Sequence, residues 1–248
     1  MKKLLLIQPG GLGDLFLCAP IAKFYYDQGY SIDWPVREDL VKELDGFWYV
    51  NVIPIKYEGK FDDWLMECSI KAYNLQNINS YDKVLNLSDR YPVRYQQKAD
   101  ENFEQYKYRI SEVPFGLKHT LTFIRNGYRE SELLRELEKA IGTTRDFALV
   151  HREDSLGEVA DLPNISLMPI DIRPFNDFRI KDWVGVMTLA KEIYVVESSV
   201  HQFMDGIKDQ LTKDRYLLRR KAAPEGTRFT VSSGWKFDYI GKNTIIKG

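Results

Sequence analysis

The stretch Lys3-Leu4-Leu5-Leu6-Ile7-Gln8-Pro9-Gly10-Gly11-Leu12-Gly13-Asp14 decides the fold. A short apolar run that stops at a glycine turn reads as a central parallel strand, because only a strand covered on both faces dispenses with polar alternation. The run is too short for the apolar core of a signal peptide and ends at Gln8-Pro9-Gly10-Gly11, so a first buried strand explains it better. A helix is expected from Leu15 to Gln28, closed by Gly29, with Pro20 marking either its start or a kink.

Outward from there, strands are expected at Ser31–Trp34, Tyr49–Ile55 and Lys83–Leu87. Helices are expected at Arg37–Leu44 and Asp62–Tyr73. From Ser88 to Gly127 the pattern weakens and charged and aromatic residues interleave. Ser131–Ile141 reads as a helix capped by Ser131 and ended by Gly142. At Phe147 the strand-helix grammar restarts, with strands at Phe147–His151, Ile165–Pro169, Ile193–Val196 and Tyr216–Arg219. The intervening helices are Ile180–Ala190 and one opening at Ser198, and a weak strand or tail follows Gly234. Strands alternating with helices at this spacing predict an α/β chain with parallel sheets. The division is expected near Gly142-Thr143-Thr144, giving domains 1–143 and 144–248.

The 248 residues suffice for one or two domains, and 44% apolar with 29% charged residues is an ordinary globular balance. A formal net charge of -1 leaves no basic field for nucleic acid. Two cysteines, Cys18 and Cys68, exclude a disulfide framework and point to a cytoplasmic chain. No stretch approaches the roughly 20 apolar residues of a membrane helix.

Three turns carry chemistry. Gly11 and Gly13 beside Asp14 let a backbone approach a ligand closely at a helix start. The spacing is neither a dinucleotide fingerprint nor a Walker loop, and Asp33 is the one acidic residue near the end of the second strand. Asp14 is either a ligand-facing acid or a helix cap. If it is a cap, asparagine serves as well, so Asp14→Asn is expected to leave stability nearly unchanged under either reading. In the second half, Glu197-Ser198-Ser199 follows an apolar strand and opens a helix with His201 one turn in. The pattern suits a diphosphate, with Glu197 on a ribose, or is simple capping with His201 exposed. His151-Arg152 ends the restarting strand, where Arg152 clamps a phosphate or pairs with Glu153 or Asp154. Three histidines and two distant cysteines form no zinc pattern, and neither a G-x-S-x-G elbow nor a triad is present.

These positions together resemble glycosyltransferase family 9, the heptosyltransferase-like enzymes. The resemblance is carried by the first strand, by Gly10-Gly11-Leu12-Gly13-Asp14 and by Ala19-Pro20-Ile21, with Pro20 six residues after Asp14. Ser31-Ile32-Asp33-Trp34 and Glu197-Ser198-Ser199 add to it. Glu197 stands where the family usually has Asp, and the family's usual histidine falls at Gln202 rather than His201. The family's lysine loop after the restarting strand has only the cationic His151-Arg152 in its place. The resemblance implies a GT-B-like architecture of two facing Rossmann-like domains with parallel sheets, the C-terminal one reduced. It implies an inverting transfer from a nucleotide-diphosphate sugar to a hydroxyl of a glycan or lipopolysaccharide-like acceptor, without metal or other cofactor. Asp14 is then the base. Gly11, Gly13, His151, Arg152, Glu197, Ser198, Ser199 and His201 meet the donor, and Arg90, Arg94 and Tyr95 meet the acceptor. Neither nucleic acid nor a membrane span is expected, although peripheral membrane contact fits a glycolipid acceptor. The competing readings are a Rossmann oxidoreductase, a sugar-nucleotide epimerase, and an inactive nucleotide-sugar-binding protein.

Overall fold

The computed structural model describes residues 1–9, 11–56, 71, 77–88, 101–142, 146–153, 157–173, 177–220, 234–240 and 245–247. The expected helix at Asp62–Tyr73, apart from position 71, lies outside the described residues, as do Gly10, Arg90, Arg94 and Tyr95. Two compact units emerge, the first ending at Ile124 and the second beginning at Arg125.

The first unit holds β1 (Lys2–Ile7), β2 (Tyr30–Arg37), β3 (Asn51–Ile55) and β4 (Lys83–Asn86). They form one parallel sheet in the order β3-β2-β1-β4. Leu4 to Ile7 are fully buried, as the unbroken apolar run predicts for a central strand. The chain moves outward from β1 to β2 and β3, then returns to β4 on the other side of β1. That reversal makes the carboxyl ends of β1 and β4 the place where an open α/β sheet receives ligands.

Helix α1 (Leu12–Asp27) connects β1 to β2, starts at the glycine turn and runs through Pro20. A start at Pro20 is therefore ruled out. Gly11 precedes the helix at φ 84, and Gly29, at φ 86, turns the chain after it. Both conformations favour a residue without a Cβ. The expected helix after Arg37 is a 3-10 helix, Glu38–Leu44, which ends before the turn at Gly46. Helix α2 (Phe103–Ile110) is opened by a capping box between Asn102 and Gln105. It is pinned to α1 by the Tyr108 hydroxyl on Leu17 O at 2.9 Å. Tyr25 of α1 in turn donates to Ser111 O at 2.6 Å.

The second unit begins with α3 (Gly127–Ile141). Its cap is Asn126, whose side chain accepts from Arg129 N at 3.1 Å. Ser131 lies inside the helix and donates to Gly127 O, so the cap expected there stands a full turn too late. Helix α4 (Val184–Leu189) follows a short 3-10 turn, Ile180–Trp183. Gly185 of α4 lets it approach α3 closely, since a Cβ there would meet Glu130 Oε2 at 3.0 Å. This packing groups α3 with the second unit, so the division falls earlier in the chain than residue 143.

The strands of this unit are β5 (Phe147–His151), β6 (Glu158–Ala160), β7 (Met168–Asp171), β8 (Glu192–Val196), β9 (Arg215–Arg220), β10 (Trp235–Ile240) and β11 (Ile245–Lys247). Five of them form a parallel sheet in the order β10-β9-β8-β5-β7, while β6 pairs antiparallel with β11. Alternate residues Ala148, Val150, Tyr194, Val196 and Leu218 line one buried face. The order reverses between β5 and β8, so their carboxyl ends form the second ligand-receiving position. Helix α5 (Ser199–Gly206) leaves β8 there and is buried along almost its whole length. Among the described residues, no helix is long and apolar enough to cross a membrane.

Candidate functional site

At the first unit's reversal point, α1 begins without a side-chain cap, and Asp14 lies in its first turn. Its carboxylate is instead engaged by Lys107 of α2, Nζ to Oδ1 2.8 Å. The Lys107 side chain is 0% exposed and that of Asp14 22%. The same ammonium donates to Gln8 Oε1 at 2.9 Å. Gln8 is held in turn, because its carbonyl accepts from Trp34 Nε1 at 2.9 Å. Pro9 O accepts from Arg37 N at 2.8 Å. Gly11 is required sterically as well as conformationally, since a Cβ there would stand 2.6 Å from Asp14 Oδ2. A second buried pair, Lys118 to Glu104 at 2.8 Å, lies one turn from Lys107 on α2. Asp14 is thus a partly exposed carboxylate fixed at a strand's carboxyl end. Asp33 belongs to another setting, within β2, where it accepts from Asn51 and Tyr81.

At the second unit's reversal point, β5 ends in His151 and β8 leads into Glu197 and Ser198. The two loops touch, with His151 Nδ1 3.3 Å from Ser198 Oγ. Ser198 caps α5, its side chain accepting from His201 N at 3.4 Å. The first-turn N–H groups of α5 and its positive dipole end are therefore presented beside two serine hydroxyls, Ser198 and Ser199. Burial pushes the His151 imidazole down to about 4, against an upward pull from Asp171. The ring is neutral at neutral pH, so it is not the cationic substitute expected from the sequence. Arg152 pairs with Asp171 at 3.0 Å rather than with Glu153. That pair is half-exposed.

The structure thus gathers His151, Arg152, Glu197, Ser198 and Ser199 at one sheet end, and Gly11, Gly13 and Asp14 at another. His201 goes elsewhere. It is fully buried and meets Trp235 edge-to-face at 5.1 Å. Trp235 in turn donates to Asp205 Oδ1 at 3.1 Å. His201 is interior rather than exposed, because α5 is buried along almost its whole length. Lys107 was not legible as a site residue. Among the described residues, no group of three or more His, Cys, Asp or Glu side chains is placed to hold a metal ion.

The sequence matches no family model and no curated protein. Its fold is similar to the family 9 glycosyl transferase from Veillonella parvula, with a TM-score of 0.59 at 12% identity, over 96% of this chain and 86% of that one. It is also similar to E. coli ADP-heptose lps heptosyltransferase II, with a TM-score of 0.59 at 11% identity, over 97% and 93%. E. coli heptosyltransferase WaaC with ADP gives 0.51 at 9% identity, over 96% and 93%. At such identities the likeness is one of fold, and the chain has the GT-B fold of these heptosyltransferases.

Proposed function

We propose that the chain is an inverting glycosyltransferase that moves a sugar from a nucleotide-diphosphate donor to a hydroxyl acceptor. The observation that carries this reading is positional. The two motifs that resemble family 9, Asp14 and Glu197-Ser198-Ser199, each lie at the strand-order reversal of their own sheet. In the reaction, the acceptor oxygen attacks the anomeric carbon and its proton passes to the Asp14 carboxylate. The bond from the anomeric carbon to the diphosphate oxygen breaks, and the electron pair leaves with the diphosphate. The amino end of α5, the Ser198 and Ser199 hydroxyls and Arg152 receive that charge. Glu197 takes the ribose hydroxyls. His151, being neutral, contributes by its contact with Ser198 and not by charge.

Thermal unfolding with a panel of nucleotides tests the reading. ADP and ADP-sugars come first, because a fold neighbour holds ADP, followed by UDP- and GDP-sugars and NAD. A matching nucleoside diphosphate at a hundredfold its Kd is expected to stabilise the chain by about 2.7 kcal/mol. The matching sugar nucleotide, incubated with acceptor glycans, is expected to release free nucleoside diphosphate. Stabilisation by NAD alone overturns the proposal in favour of an oxidoreductase. Donor binding without transfer to any acceptor favours the inactive binding protein.

A further inference from the structure

We infer that Lys107 is a positioning residue that fixes both the orientation and the charge of the Asp14 carboxylate; its bearing on catalysis rests on the reading of Asp14 as the base. A fully buried ammonium is rare, and removing it from water costs several kcal/mol. Packing does not call for it, since α2 is already joined to α1 through Tyr108 and Tyr25. The charge is instead aimed. Its donors meet Asp14 Oδ1 at 2.8 Å and Gln8 Oε1 at 2.9 Å, and its Nζ lies 5.7 Å from the centre of the Phe103 ring. Held by these contacts, it engages Asp14 Oδ1, while Oδ2 lies toward Gly11, where a Cβ would stand 2.6 Å from it.

The other titratable groups on the elements around this pair leave the assignment intact. Glu104, on Lys107's own helix, is matched by Lys118 of the Phe115–His119 turn. His119 lies on that same turn, Cys18 lies on α1, and Tyr108 donates to a carbonyl. Lys107 Nζ itself stands 2.8 Å from Asp14 Oδ1.

The test follows the 13Cγ signal of Asp14 through an acid titration of the whole chain, with Asp14→Asn identifying the resonance. The midpoint is expected to move to higher pH in Lys107→Met and in the milder Lys107→Gln, and to return toward the wild type in Lys107→Arg. A midpoint that either folded neutral variant leaves in place overturns the inference. In transfer assays, Lys107→Met is expected to lose roughly ten- to a hundredfold in kcat, the scale of a misplaced catalytic group, with donor KM unchanged. If the titration moves while kcat does not, the pairing is supported and Asp14 as base is refuted, so the two readings fail separately.

Discussion

Substituting Asp14 by asparagine has a consequence that helix capping does not anticipate. The variant keeps the shape of the side chain and removes its charge. Lys107 then keeps its ammonium, 0% exposed, with the charge that stood 2.8 Å from it removed. Breaking a wholly buried ion pair from one side costs about 3–5 kcal/mol. Asp14 retains 22% exposure and Gln8 remains in place, so a lower cost of about 2–3 kcal/mol is expected here. For a unit of this size that corresponds to a fall in Tm on the order of 5–10 °C. The sequence by itself led to the opposite expectation, because asparagine and aspartate cap helices equally well. Denaturant titrations of Asp14→Asn, Lys107→Met and the double variant form a cycle that isolates the pair. The double variant, with neither charge left, is expected to recover to within about 1 kcal/mol of the wild type. An Asp14→Asn chain as stable as the wild type would refute the reasoning, since Lys107 would then not depend on the Asp14 charge.

The His151 ring is held below its usual 6.5, at about 4, so the unfolded chain takes up that proton first. Its contribution is intact above about pH 6.5 and is lost as pH falls toward 4. Between pH 7 and pH 5 the second unit should lose on the order of 1–2 kcal/mol, and denaturation curves of His151→Gln should show a smaller loss. Asn126→Ala should cost about 1 kcal/mol by uncapping α3, while circular dichroism melts of Ser131→Ala should stay near the wild type. Gly11→Ala combines φ 84 with a 2.6 Å clash against Asp14 Oδ2. It should cost about 1–3 kcal/mol and reduce transfer without weakening nucleotide binding, measured by parallel melts and turnover.

The framework was legible where local chemistry dictates it. The buried run Leu4–Ile7, the positive-φ glycine at 11 and the capped start of α5 are each written in a few adjacent residues, and they place Asp14 and Ser198 at strand ends. Lys107 was not legible because its role depends on a partner far away in the chain. A lysine and a glutamate three apart, among tyrosines, read as the solvated face of a helix. Only the tertiary packing of α2 on α1 turns that face inward. His201 was misplaced for a similar reason, since nothing near it in the sequence announces Trp235. The α3 cap was displaced because Ser131 is a good capping type, yet Asn126 comes first and reaches Arg129 N.

The way Trp235 closes the second unit has a consequence for how the protein is made. Its ring covers His201, and its indole N–H meets Asp205, a residue translated thirty codons earlier. The described strands of the first unit's sheet have all left the ribosome once Asn86 has. The second unit must wait for the Trp235 contacts with His201 and Asp205 until β10 emerges and pairs with β9. An early stop codon or a proteolytic cut before Gly234 therefore removes the Trp235 contact with α5 and leaves β9 as an unpaired sheet edge, of the kind that chaperones and proteases recognise.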